Sequence, residues 1–180
     1  MPEPAPPNPA NPAPAQEWFD KPDSTGTAGT AGSGGNTGTG EAGLRFSCTE
    51  CGDCCSGAPG YVGFTADEAR AIAEKIGVSV ETFMAEYTRD TSDGRSIKDL
   101  KLAGSKGYDC VFLDRETVPG KARCSVYEVR PMQCRTWPFW GSNLTSQETW
   151  NESGKSCPGL NTGELHTPAH IRLTRDRVEI

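Results

Sequence analysis

Histidine is nearly missing from this chain, with two residues in 180, both close to the C-terminal end. A nucleophile–histidine–acid catalytic set therefore has little to draw on. A glycine-rich phosphate loop is lacking too, because the glycine-rich stretch near the N-terminus precedes no helix. There is no polybasic tract, and 24 acidic residues outnumber 18 basic ones for a formal charge of −6. Such a chain does not grip a phosphate backbone, so nucleic acid is not an expected partner. No apolar run is long enough to span a bilayer, so no membrane is expected either. The N-terminus has no charged region followed by an apolar stretch, so no secretory signal is read and the expected compartment is cytoplasmic.

What the chain does have is sulfur. Four of its eight cysteines, Cys48, Cys51, Cys54 and Cys55, fall within eight positions, and Cys110, Cys124, Cys134 and Cys157 follow. In a reducing compartment this pattern points to metal rather than to disulfides, although a disulfide-stapled binding module is the alternative for an exported chain. Cys48-x-x-Cys51-Gly52 has the form of a metal knuckle: two intervening residues let the chain turn and bring both sulfurs to one ion. Glycine after the second cysteine tolerates positive φ and lets amides turn toward the sulfurs. In an extended segment Cys54 and Cys55 would point to opposite sides. Two four-thiolate sites sharing this segment, a multi-metal cluster, or one site with spare cysteines all remain open on that count.

The knuckle leans toward zinc, and the Cys157-Pro158 pair leans toward iron. Clustered thiolates leave excess negative charge, which is costly when buried unless paired. Arg123, Arg130 and Arg135 lie near the downstream cysteines, and at least one is expected to compensate. Arg130 and Arg135 are the candidates for contact with the bound group. His166 and His170 share an i, i+4 spacing but are not expected to be ligands beside Pro168 and eight competing thiols.

Three regions are read. Residues 1–43 are a low-complexity arm, Pro/Ala-rich and then Gly/Thr/Ser-rich, with too little apolar surface to fold. Trp18 and Phe19 interrupt it, either as a docking motif or, by the blander reading, as a pair that touches the surface loosely or not at all. Residues 44–162 form the cysteine-cluster domain, and 163–180 an edge strand or tail.

Within the domain, 61–64 reads as a short strand. Thr65 and Glu68 form a capping box before a helix that Gly77 stops. A second helix starts at Ser79, with Val80, Phe83, Met84 and Tyr87 on one face. Residues 90–96 read as a polar loop, and 97–102 and 108–113 as strands. A Val118-Pro119-Gly120 turn folds 108–113 back onto 122–127. Pro131 opens a short helix. Trp137-Pro138-Phe139-Trp140 packs as core over the metal region, and 141–156 is a loop returning Cys157. The expected fold class is α+β, a small cysteine-rich, metal-stapled domain with a disordered N-terminal arm.

The motif Phe46-x-Cys48-x-x-Cys51-Gly52-x-Cys54-Cys55 resembles that of the CxxCxxCC, or YkgJ-type, cysteine-cluster proteins. The likeness continues through Cys110-x-Phe112-Leu113 and Cys124-x-x-Tyr127-x-x-Arg130-Pro131-x-x-Cys134-Arg135-x-x-Pro138 to Cys157. The resemblance covers roughly residues 44–160 and implies a domain that chelates zinc or iron, or carries an iron–sulfur cluster, through all eight cysteines. It also implies a link to a flagellin lysine N-methylase, so an iron–sulfur-dependent enzyme is the alternative function. Metal ions are the implied partners.

Overall fold

The computed structural model describes residues 16–21, 41–101 and 107–178. The readings placed on 1–15, 25–40, Leu102 and Ile180 lie outside the described residues. The first helix, α1 (Ala66–Ile76), starts as its capping box requires. The Thr65 hydroxyl accepts from the Glu68 amide at 3.2 Å, and the Glu68 carboxylate accepts from the Thr65 amide at 2.8 Å. Gly77 ends the helix in the left-handed conformation. Helix α2 (Val80–Glu86) begins at Ser79, whose hydroxyl accepts from the Thr82 amide at 3.1 Å. The two helices bury Ile72, Ala73 and Phe83 against Ile97, Phe112 and Val126. Phe64, Phe83, Tyr87 and Phe112 continue this cluster as a row of contacting rings.

The strands are short. β1 (Leu44–Phe46) pairs antiparallel with β9 (Leu160–His166), and β2 (Ser56–Gly57), β6 (Tyr108–Cys110) and β5 (Asp99–Lys101) make a second sheet in the order β2-β6-β5. β3 (Thr88–Thr91) and β4 (Gly94–Ile97) form a hairpin, and β7 (Leu113–Asp114) pairs with β8 (Arg123–Cys124). That last pair closes through the turn at Val118-Pro119-Gly120, where the Lys121 amide donates to the Val118 carbonyl at 3.1 Å. The hairpin is shorter than expected, because Tyr108–Cys110 pairs with β5 and β2 instead.

Several expectations are corrected. Residues 61–64 are extended but form no strand. Buried side chains hold their backbone: the Val62 amide donates to Ser96 Oγ at 2.9 Å, and the Gly63 amide to Gln133 Oε1 at 3.0 Å. Gln133 Nε2 returns a bond to the Tyr61 carbonyl at 2.7 Å. The stretch 90–96 is not a loop but most of the β3–β4 hairpin. Its inward face carries the polar Thr88 and Ser96, both buried, so the usual apolar alternation is hidden. The stretch 141–156 contains helix α4 (Gln147–Gly154), capped by Ser146 and anchored by the fully buried Trp150. The C-terminal stretch is neither edge strand nor tail. It is helix α5 (Pro168–Arg175), with Thr167 as cap and proline in the first turn, and it buries Ile171.

The aromatic pair in the N-terminal arm is also corrected. Trp18–Asp20 is one 3-10 turn, and Phe19 is 1% exposed among Leu44, Phe139, Leu144, Trp150, Leu160 and Ile171. Trp18 Nε1 donates to the Leu144 carbonyl at 2.7 Å. The fold is thus α+β around two apolar clusters, one centred on Phe83 and one on Phe139. No helix among the described residues is long and apolar enough to cross a membrane.

Two predictions follow from this scaffold. Glu68 caps α1 and also accepts from the Met132 amide at 2.7 Å, at the start of helix α3 (Met132–Thr136). Glu68→Ala removes a cap and strands a partly buried donor, and should cost roughly 2–3 kcal/mol in urea unfolding, against about 1 kcal/mol for Thr65→Ala. Asp20 is held below the ordinary carboxylate range, chiefly by a hydrogen bond from Arg172. A lowered folded-state pKa means this contribution is complete above the ordinary carboxylate range and is lost as pH falls through the lowered value. Urea midpoints measured across the acid range should show that loss in the wild type and a shallower one in Asp20→Asn.

Candidate metal centre

The eight cysteines come from seven separate pieces of chain. Cys48 and Cys51 lie on the irregular segment after β1, and Cys54 and Cys55 in a 3-10 turn, Asp53–Cys55. Cys110 ends β6, Cys124 ends β8, Cys134 sits in α3 and Cys157 follows α4. A cleft of about 500 Å³ is lined by Cys48, Cys51, Cys54, Cys55, Cys124 and Cys157. Cys110 and Cys134 are set deeper, behind Cys124. All eight are free thiols, so the disulfide-stapled alternative has no S–S bond to rest on.

The cleft lies between the two apolar clusters. Cys157 is buried in the cluster around Phe139, while Cys110 and Cys124 pack against the cluster around Phe83. Backbone bonds tie the cysteine loop to both sides. The Ala122 amide donates to the Glu50 carbonyl at 2.8 Å, and the Ser47 amide to the Gly159 carbonyl at 3.2 Å. Lys121 Nζ donates to the Thr49 carbonyl at 3.0 Å.

Gly52 sets the direction of the loop. Its φ is +80°, and a Cβ built there would lie 2.5 Å from the Ala122 Cβ. The turn it starts closes with the Cys55 amide donating to the Gly52 carbonyl at 2.9 Å. This turn corrects the expectation that neighbouring sulfurs diverge. Cys54 and Cys55 are not in an extended segment, and their sulfurs lie 3.7 Å apart. Both can face one centre.

The thiols divide into groups by their mutual influence. Burial pushes the Cys110 thiol up to about 12, and Cys134 and Cys124 add to the rise. Burial likewise pushes Cys134 up to about 12, with Cys124 and Cys54 contributing. Cys54 is raised chiefly by its hydrogen bond with Cys55. On the other side Cys157 is raised by burial and by Cys51, against hydrogen bonds from the Gly159 amide and the Trp137 side chain.

Among the described residues no three Cys, His, Asp or Glu side chains already stand in a chelating constellation. The donor chemistry nevertheless fits a thiophilic ion. The thiols are soft donors, several are desolvated, and without a cation the deep pair would hold its protons at neutral pH.

The three arginines differ. Arg135 is engaged by Glu68 at 3.4 Å and Arg123 by Glu50 at 3.0 Å. Arg130 has no carboxylate partner among the described ion pairs and lies over the Tyr127 ring at 3.7 Å, lining the cleft. Its charge lowers the pKa of Cys54, Cys124 and Cys134. His166 and His170 lie away from the sulfurs: the His166 ring bonds the Phe46 carbonyl at 3.0 Å and packs on Phe139.

A family model for the CxxCxxCC domain, described as "Putative zinc- or iron-chelating domain", matches residues 47–158. The chain belongs to the CxxCxxCC family. All eight cysteines fall inside the matched region of this family member, while the Trp18–Asp20 turn and α5 fall outside it. An uncharacterized protein of Methanocaldococcus jannaschii is 32% identical over 96 residues, covering 53% of this chain and 46% of the relative. The chain thus spans about half the length of that relative. No solved structure matches.

The cramped cradle at Gly52 is directly testable. Gly52→Ala combines a left-handed backbone with the contact to Ala122 and should cost roughly 2–4 kcal/mol. Gly60→Ala, where nothing lies within 4 Å of the added carbon, should stay within about 0.5 kcal/mol of wild type. Urea unfolding of both variants checks the contrast.

Proposed function

We propose that this CxxCxxCC protein binds zinc or iron, as single ions or as an iron–sulfur cluster, through Cys48, Cys51, Cys54, Cys55, Cys110, Cys124, Cys134 and Cys157. The observation that carries the reading is the convergence of all eight free thiols on one seam between the two apolar clusters. Cys54, Cys55, Cys110, Cys124 and Cys134 would hold the bound group from one side, and Cys48, Cys51 and Cys157 from the other. Bound zinc would supply a closed structural staple, and a cluster would supply a site for electron transfer. Trp137 and the backbone amides around Gly159 orient Cys157, as hydrogen-bond donors to a ligating sulfur do. Of the two arginines expected to contact the bound group, Arg130 is favoured, because Arg135 is committed to Glu68. A cytoplasmic setting, where thiols stay reduced, suits this donor set.

The test is anaerobic purification followed by elemental analysis and visible absorbance. Bound zinc in a colourless protein, or iron with broad visible absorption, supports the reading. Cys51→Ser and Cys134→Ser should each lower metal content and thermal stability. A metal-free protein whose eight thiols all react with a thiol reagent, and which melts no differently after Cys51→Ser, overturns it. Arg130→Ala should weaken metal retention against a chelator by about tenfold, and Arg135→Ala should weaken it less.

A further inference from the structure

Outside the matched family region the chain makes a second built contact. Residues 17–20 dock onto α5 and the turn before α4, and their chemistry is that of a recognised peptide. Glu17 and Asp20 bracket two aromatic residues in one self-closed turn, in which the Glu17 amide donates to the Asp20 carboxylate at 2.7 Å. Phe19 fills a slot beside Ile171 and Leu144 and is 1% exposed. Trp18 stands edge-on to it with ring centroids 5.5 Å apart, and bonds Leu144 through its indole.

Two cations of α5 receive the two carboxylates. Arg172 Nε donates to Glu17 at 2.8 Å, and its other nitrogen bonds Asp20. Arg175 bonds Glu17. The Arg172 guanidinium also lies 5.3 Å from the Phe19 ring centre. Aromatic anchors in a slot with arginine at the rim are the usual energetic centre of an interface.

The connection between ligand and receptor is chain of another kind. Residues 22–40 are dominated by Gly, Thr, Ser and Ala. A tether of this composition and length spans on the order of 25 Å and gives an effective concentration of order millimolar. The turn needs nothing from its flanks to bind, since all the contacts named above come from Glu17, Trp18, Phe19 and Asp20.

We infer that the face formed by Arg172, Arg175, Ile171 and Leu144 is a peptide-binding site for an acidic–aromatic–aromatic–acidic turn, filled in cis by the chain's own residues 17–20. Its partner in trans is a protein presenting a turn of that same chemistry, which displaces the tethered segment. The tether sets a threshold: a competitor must match a local concentration of order millimolar or carry further contacts of its own. This inference stands apart from the metal reading, since neither the ligand turn nor its arginines includes a cysteine.

The experiment uses the full chain with a protease recognition sequence inserted within residues 22–40. After cleavage, a fluorescein-labelled peptide carrying residues 16–21 is titrated in, with anisotropy as the readout. The expected result is saturable binding to the cut protein, displaced by unlabelled peptide and at least tenfold weaker to uncut protein. The Phe19→Ala peptide should compete at least tenfold less well. An Asp20→Arg peptide should fail on the wild-type chain and recover on an Arg172→Asp chain. Arg172→Gln, which deletes the charge without reversing it, serves if the reversed variant loses its circular dichroism signal. Overturning results are a fragment that never exchanges, no saturable binding at millimolar peptide, or binding indifferent to Phe19 and to charge reversal.

Discussion

Thiols buried at a seam between two apolar clusters are the constraint around which the rest of this structure is arranged. A desolvated thiol is held in its neutral form, and several close together oppose one another's ionisation. Cys110 and Cys134 show this directly, each pushed up to about 12 by burial and by neighbouring sulfur. Such a grouping has little value as hydrophobic packing and much as a donor set, because a soft cation displaces the protons and relieves the repulsion at once. The seam is also where such an ion would do most for the fold. Cys157 belongs to one cluster, Cys110 and Cys124 border the other, and the segment 48–55 runs along the cleft between them.

Little regular structure is available to hold this arrangement. Most of the strands have two to four residues, and α3, which carries Cys134, has five. Side-chain-to-backbone hydrogen bonds fill the gap. Glu68 caps α1 and reaches the start of α3, Gln133 bonds the backbone at Tyr61 and Gly63, and Ser96 bonds Val62. Each of these bonds joins an element near the sulfurs to the helical pair. A domain with short ladders depends on such bonds more than a long-stranded sheet does, because its buried amides need partners from elsewhere.

The family region, 47–158, does not bury the Phe139 cluster alone. Leu44 comes from before it, Leu160 and Ile171 from after it, and Phe19 from farther upstream still. Packing at the Cys157 side of the seam is therefore completed by residues outside the cysteine motif. Arg172 and Arg175 fix the upstream turn through Glu17 and Asp20, so the closing piece is both apolar and charged.

Local rules read some parts of this chain well. The Thr65–Glu68 box, the Ser79 cap, the Gly77 stop and the Pro119-Gly120 turn are each decided within a few residues, so the sequence alone places them. The cysteine spacing and its family likeness are equally local. The β3–β4 hairpin was hidden because its buried face is polar, with Thr88 and Ser96 satisfied by distant groups. Helix α5 carried its own start signal in Thr167 and Pro168, but a single buried apolar residue, Ile171, gave no period to read.

Sequence by itself determined that this chain has eight thiols in a chelating pattern and a capped helical pair. Only the tertiary structure decided that Cys54 and Cys55 face the same way, that Arg130 rather than Arg135 turns toward the sulfurs, and that Phe19 is core. Each of those depends on contacts between residues far apart in the chain: Gly52 against Ala122, Arg135 with Glu68, and Asp20 with Arg172. Contacts of that kind are fixed by how the pieces pack, and no local spacing encodes them.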